Sequence, residues 1–321
     1  MINRWLPIAA AAIAIAAGLA LINPYYAGII TLIALAAILT TSVNLAGYAG
    51  VIMFAAGGLY GVGAYTYANF ALKLGMPSIV SLLAAAAMAT LVGLIMILAS
   101  LRLQGIYFAL STLIGNLILS AIFFNVTDLT AGPRGMSAIP PPVINLPGIG
   151  EIVFNDYLQT YLVMAIAVAW IYAVWRLVNG RMGRYLEALR EDEILAPTLG
   201  IDILKYRLLA FLPSAAMIGL AGGLYAGYTT AITPENFDIF VSFTILTFVN
   251  VGGRGTISGP VVAAVFLTAI VYVFDPIYLV RNLLYGSLLI LVILLSPDGL
   301  MGILRDLRER LAQRRRARQA A

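Results

Sequence analysis

The side chains able to do chemistry in this 321-residue chain are few, and most of them gather in one place. There is no His and no Cys, so the commonest general base, the commonest metal ligand and any thiolate site are missing. Acid–base work would fall to the 14 Asp and Glu residues, which cluster in loops and in the stretch 183–213. That placement argues against a membrane-embedded transferase or hydrolase. No Gly-x-x-x-x-Gly-Lys-Ser/Thr phosphate cradle is present, because Lys73 and Lys205, the two lysines, follow Leu72 and Leu204. An ATP-driven activity would therefore need its ATPase, with ATP and magnesium, on another chain.

Residues 183–213 are polar and long enough for two short helices. Met182, Tyr185, Leu186 and Leu189 fall at i, i+3, i+4 and i+7, one apolar stripe, with Arg184, Glu187, Arg190 and Glu191 off it. Pro197 and Gly200 then break the backbone. A solvated loop or a helix lying on lipid headgroups is the plain alternative. A headgroup helix should be basic, whereas Arg181, Arg184 and Arg190 here face Glu187, Glu191, Asp192 and Glu193. Mixed charge suits a protein partner.

The elements that must position this stretch are membrane spans. The chain is 62% hydrophobic and 10% charged, with a mean hydropathy of +0.99; soluble domains carry about 25% charged residues. Ten apolar segments are expected to form an all-α polytopic bundle in a single domain over 1–321: 6–22, 26–43, 47–72, 79–100, 105–125, 157–177, 208–230, 239–251, 259–274 and 278–295. The first resembles a signal peptide, but its apolar run favours a retained helix. The connections are a coupling segment at 178–207, an external loop at 126–156 containing Pro140-Pro141-Pro142, and a basic tail at 296–321.

With both termini cytoplasmic, every basic residue except Lys73, Arg134 and Arg281 lies inside, which satisfies the positive-inside rule. The Arg314-Arg315-Arg316 run is then a topology signal beside lipid, with no nucleic acid partner. No Asp, Glu, Lys or Arg sits in the middle of a drawn span, which disfavours a stand-alone secondary carrier. Glycines crowd the third span, among them Gly47, Gly57 and Gly61, and recur as Gly252, Gly253, Gly255 and Gly259. Close helix packing explains each singly; as matched clusters in 26–125 and 208–295 they point to an internal duplication with a path at the repeat interface.

On these residues the chain resembles the permease subunits of branched-chain amino acid ABC importers, of the LivM type. Gly200 stands as the glycine of the importers' cytoplasmic motif, and Ala210-Phe211-Leu212-Pro213 keeps its Leu and Pro, while Ile194-Leu195-Ala196 keeps only the final Ala of Glu-Ala-Ala. Arg190-Glu191-Asp192-Glu193, Tyr206-Arg207-Leu208-Leu209-Ala210-Phe211 and Gly219-Leu220-Ala221-Gly222-Gly223 are similar to the family's central signature. Asn44-Leu45-Ala46-Gly47-Tyr48, Gln104-Gly105-Ile106-Tyr107 and Gly252-Gly253-Arg254-Gly255 are similar to its early and late motifs. At Met53-Phe54-Ala55-Ala56 the family more often shows a polar Ser-Leu-Gly-His stretch, so the ligand differs if that stretch faces it.

The resemblance implies alternating access in a bacterial inner membrane. It also implies a second homologous permease subunit, two cytoplasmic ATP-binding subunits and an extracytoplasmic solute-binding protein. It places ATPase coupling on Tyr185, Leu186, Leu189, Arg190, Glu191, Glu193 and Gly200, the first three as apolar anchors in a groove. The translocation path would run past Asn44, Gly47, Tyr48, Gly57, Gly61, Tyr107, Gly252 and Gly253. A urea, aromatic-acid or other amino-acid permease of the same family is the alternative. No catalytic residue, metal or cofactor is expected on this chain.

Overall fold

A computed structural model describes residues 23–100, 103–146, 150–153, 156–193, 195–253 and 255–273. The first and tenth expected spans, the basic tail and Arg254 lie outside the described residues. Five described helices are long and apolar enough to cross a membrane: α1 (Pro24–Tyr48), α3 (Ser78–Ala99), α4 (Ile106–Asn125), α5 (Asp156–Val178) and α7 (Ile203–Thr229). Between them lie the shorter α2 (Ala56–Leu72), the surface helix α6 (Arg181–Glu191), then α8 (Ile239–Gly252) and α9 (Ser258–Val273).

Local signals set where several of these begin. Asn23 caps α1 by accepting from the Tyr25 amide at 3.2 Å, with Pro24 at the first helical position. Asp202 caps α7 through the Lys205 amide at 3.1 Å. Asp238 does the same for α8 through Val241 at 3.2 Å.

Small residues build the core. On α3, Ser81, Ala85, Ala89, Gly93 and Ile97 recur every fourth position and are buried, while Leu91, Ile95 and Leu98 on the other face are exposed, as a lipid-facing surface should be. The buried stripe lies against α7, where Gly219 meets Ala85 and Ala89, and α7 in turn meets α2 at Gly63 and Gly222. These three helices pack most closely of all. Helix α1 packs on α5, with Thr31 and Thr160 hydroxyls 2.8 Å apart and the Trp170 indole donating to Ser42 at 3.0 Å.

Those contacts give the helix directions. Gly28 near the start of α1 meets Tyr228 near the end of α7, so the two run antiparallel. From the end that carries α6 (the basic end), α7 and α2 run away while α1, α3 and α8 run toward it. Helix α9 starts at that end, where Gly252 abuts Gly259. Helices α1, α2 and α3 thus run toward, away from and toward that end, and α7, α8 and α9 run away, toward and away. The two glycine clusters do not sit at matching places: Gly57 and Gly61 lie in α2, whereas Gly252 ends α8 and Gly259 lies at the start of α9.

The third and eighth segments contain short helices: α2 and α8 are 17 and 14 residues long and each starts only after an irregular stretch. The 126–156 connection carries local structure. It holds a helical turn at Thr127–Thr130, a 3-10 turn at Gly132–Arg134, and a two-stranded hairpin, β1 (Val143–Leu146) with β2 (Gly150–Val153), paired antiparallel with Val143 opposite Val153. Met136 and Ile232 exchange both backbone hydrogen bonds, tying this connection to the segment after α7.

Candidate functional site

Gly183 makes the corner between α5 and α6, since a Cβ there would overlap the Val178 carbonyl. The corner folds α6 back so that its apolar stripe covers the chain's own core. Leu186 and Leu189 are buried there, Leu189 with Ala196 and Ile201. This corrects their assignment as groove anchors, because a helical stripe specifies a covered face without saying what covers it. Tyr185 stays exposed, its ring tilted against Tyr206 at 5.0 Å. The apolar residues that do face outward are Leu195 and Leu199, 58% and 76% exposed. They stand four apart across the Pro197 turn, a spacing the sequence reading passed over as a break.

The charges near this face hold it to the bundle. The Arg190 guanidinium lies 5.8 Å from the Tyr48 ring centre, beside Gly255 and within 4.0 Å of Glu187. Glu193 pairs with Arg207 at 2.7 Å, and the Arg207 side chain, 4% exposed, also lies over the Phe108 ring at 5.6 Å. Glu193 therefore faces inward, while of the assigned charges Arg190 and Glu191 stay exposed. Gly200, at φ +79 with open space around it, closes the 3-10 turn Ala196–Leu199 in the left-handed conformation. Gly200→Ala is thus expected to cost about 1 kcal/mol of backbone strain and no steric overlap, read as a small fall in Tm of the purified protein.

The second site lies half-way along α4, and the sequence did not reveal it. Helices α2 and α8 both begin here, after irregular segments at 49–55 and 230–238. The Gly57 amide donates to the Ser242 hydroxyl at 2.7 Å, and the Gly58 amide to Asn116 Oδ1 at 2.5 Å. Ser242 also reaches Asn116 Oδ1 at 3.4 Å. A turn earlier on α4, Thr112 accepts from the Phe54 amide at 3.1 Å. Gly57 lies so close to the Asp238 carbonyl that a Cβ would stand 2.7 Å from it.

The Asp238 carbonyl thus lies against the start of α2, beside the middle of α4, whereas hydropathy alone leaves Asp238 in the connection between the segments 208–230 and 239–251.

Around this polar knot are rings. Phe237 packs against Tyr60 at 5.4 Å, Tyr65 at 5.7 Å and Tyr225 at 6.2 Å on the side away from α6, while Phe54 and Phe243 meet edge to face at 5.3 Å on the side toward it. Phe237 is fully buried, whereas Phe243 is 44% exposed.

The expected path residues fall into separate groups. Gly57 and Gly61 belong to this knot, where they permit close approach of α8 and of Phe123 and Phe237. Asn44, Tyr48, Gly252 and Gly253 sit at the basic end: Asn44 donates to the Thr256 carbonyl at 2.9 Å, and Gly253 takes φ +101 to end α8. Gly47 faces open space nearby. Tyr107 is 66% exposed on the outer surface and joins neither group, so within one copy of this chain it lines no path.

A bundle with a charged corner at one end and two half-helices meeting inside it has the parts a permease needs, and comparison with known proteins agrees. The family described as branched-chain amino acid transport system / permease component matches residues 25–296. The chain is 31% identical over 278 residues to the high-affinity branched-chain amino acid transport system permease protein LivM of Escherichia coli (strain K12), covering 81% of this chain and 65% of that one. It is 29% identical over 242 residues to the probable LivM of Methanocaldococcus jannaschii, covering 70% and 68%. The LivH permease protein of Escherichia coli (strain K12) is 28% identical over 203 residues, covering 60% and 64%. The matched part of the chain thus spans just under two thirds of the Escherichia coli relatives' length. No solved structure matches the chain. With 25–296 taking in every described helix but the first residue of α1, the chain belongs to the family of permease components of branched-chain amino acid transport systems.

Proposed function

We propose that the chain is the membrane-spanning permease subunit of an ATP-driven importer for branched-chain amino acids, working by alternating access. Its partners are a second homologous permease, two cytoplasmic ATP-binding subunits that carry ATP and magnesium, and an extracytoplasmic solute-binding protein. The membrane is the bacterial inner membrane, with the basic end and both termini cytoplasmic, an orientation that the distribution of Arg and Lys supports. The observation that carries the reading is the surface made by Tyr185, Leu195 and Leu199 beside the Glu193–Arg207 pair. Exposed leucines at a water-facing end need a cover, and the ion pair fastens that cover's seat to α7, which packs on α2 and α3. A push on this surface would be passed on by rigid helices to the half-way knot.

A second solute class, aromatic acids, is favoured by the rings at Phe54 and Phe243 and by the apolar Met53-Phe54-Ala55-Ala56 stretch lying at the knot. The test is gentle extraction from the native membrane and identification of what co-purifies. A second permease and ATP-binding subunits are expected, and Leu199→Asp is expected to reduce recovery of the ATP-binding subunits about tenfold while leaving the permease pair intact. Recovery of the chain alone would overturn the reading. Uptake by the reconstituted complex of leucine against an aromatic acid separates the two solute classes.

A further inference from the structure

Three features mark the half-way knot. The first is electrostatic: α2 and α8 both present their amino ends there, and each end carries about half a positive charge. The second is an unsatisfied donor. Asn116 is fully buried, its Oδ1 accepts from Gly58 and Ser242, yet its Nδ2 has no partner. A buried amide donor without an acceptor costs about 1–3 kcal/mol. One turn further along α4 the Ser120 hydroxyl is also buried and unpartnered. The third is charge of the other sign: Asp238, the cap of α8, stands one turn before Ser242 on that helix.

We infer that this knot is the solute's mid-membrane station and that it is built for a zwitterion. The α-carboxylate is held by Asn116 Nδ2 and the amino end of α2, and the α-ammonium is held by Asp238. The inference rests on the permease reading above and adds the binding residues. A carboxylate entering between α2, α4 and α8 fills the vacant acceptor role at Nδ2 and meets two positive helix ends. Asp238 supplies a fixed negative charge that offsets the ammonium. Aromatic groups flank the station on either side, Phe237 with its tyrosines and Phe54 with Phe243.

The test uses the complete importer in proteoliposomes with labelled leucine. Asn116→Ala and Asp238→Asn are each expected to lower uptake about tenfold. Asn caps a helix about as well as Asp, so Asp238→Asn removes the charge and keeps the fold.

A second measurement leaves all the proposed ligands in place. The chain has no cysteine, so Ser120→Cys supplies a unique thiol on the same face of α4. Saturating leucine is expected to slow its reaction with a small methanethiosulfonate about fivefold or more, and leucinamide, which lacks the carboxylate, is expected to leave the rate unchanged. Wild-type uptake by both Asn116→Ala and Asp238→Asn, or one labelling rate with and without leucine, overturns the site while leaving the permease reading standing. An unaltered importer that moves a different carboxylate overturns leucine as the solute, and protection of Ser120→Cys by that carboxylate then decides the site. A transported solute with no carboxylate overturns both.

Discussion

Gly222→Leu is expected to abolish assembly of the bundle. A Cβ on Gly222 would overlap the Tyr60 carbonyl and crowd the Ala64 amide at 2.9 Å, and the adjoining glycines are just as confined. Gly63 abuts the Gly219 backbone, and Gly219 abuts Ala85 and Ala89. Backbone atoms of neighbouring helices cannot move aside as a side-chain tip can, so relief requires α2, α7 and α3 to separate. Overpacking a tight core costs about 1–3 kcal/mol even when side chains can give way; here about 3 kcal/mol or more is expected. In a membrane, such close contacts are what hold helices together, because lipid is as apolar as leucine.

The measurement is the yield of monodisperse protein after mild detergent extraction, with Tm for whatever is recovered. Gly47→Ala is the control. No atom lies within 4 Å of the position its Cβ would take, so the change should be neutral or mildly stabilising through helix propensity. Equal yields for Gly222→Leu and Gly47→Ala would refute the packing argument.

The second large effect concerns Glu193 and Arg207, and it should be asymmetric. Arg207 is the more deeply buried partner, with side-chain exposures of 4% for Arg207 and 20% for Glu193. Its Nε already lacks a hydrogen bond. Glu193→Gln leaves a buried guanidinium uncompensated and is expected to destabilise by about 3 kcal/mol. Arg207→Met leaves a carboxylate that can turn to water, so a loss of about 1 kcal/mol is expected.

The double variant Glu193→Gln with Arg207→Met should recover most of the stability, since replacing a buried ion pair by uncharged residues is often neutral. Thermal unfolding of the three variants gives the cycle. If the pair also tethers α6 to α7, the recovered double variant should still hydrolyse ATP in the assembled importer but move less solute per ATP. Tight coupling in the double variant would show that the pair serves stability alone. Charge reversal at Glu193 is consequently no probe of an ATPase contact, because it breaks this internal pair first.

The long spans were legible because about twenty apolar residues in a row have one stable form in lipid. α3, α4 and α5 therefore run within a few residues of the segments drawn for them. The charged corner was legible because arginines concentrate on one side of a membrane.

Three features were decided only by tertiary structure. Leu186 and Leu189 turn inward while Leu195 and Leu199 turn outward, because Gly183 sets the fold-back angle and helical periodicity carries no information about which neighbour covers a stripe. The interruptions before α2 and α8 were invisible, because an extended apolar segment and a helical one have the same hydropathy. With them went the close approach of Asp238 to Gly57, residues 181 positions apart in the chain. Composition and charge determined that this is a polytopic membrane protein with one working end. The meeting of two helix starts around a single unsatisfied asparagine was decided by the close approach that glycines at 57, 63, 219 and 222 allow.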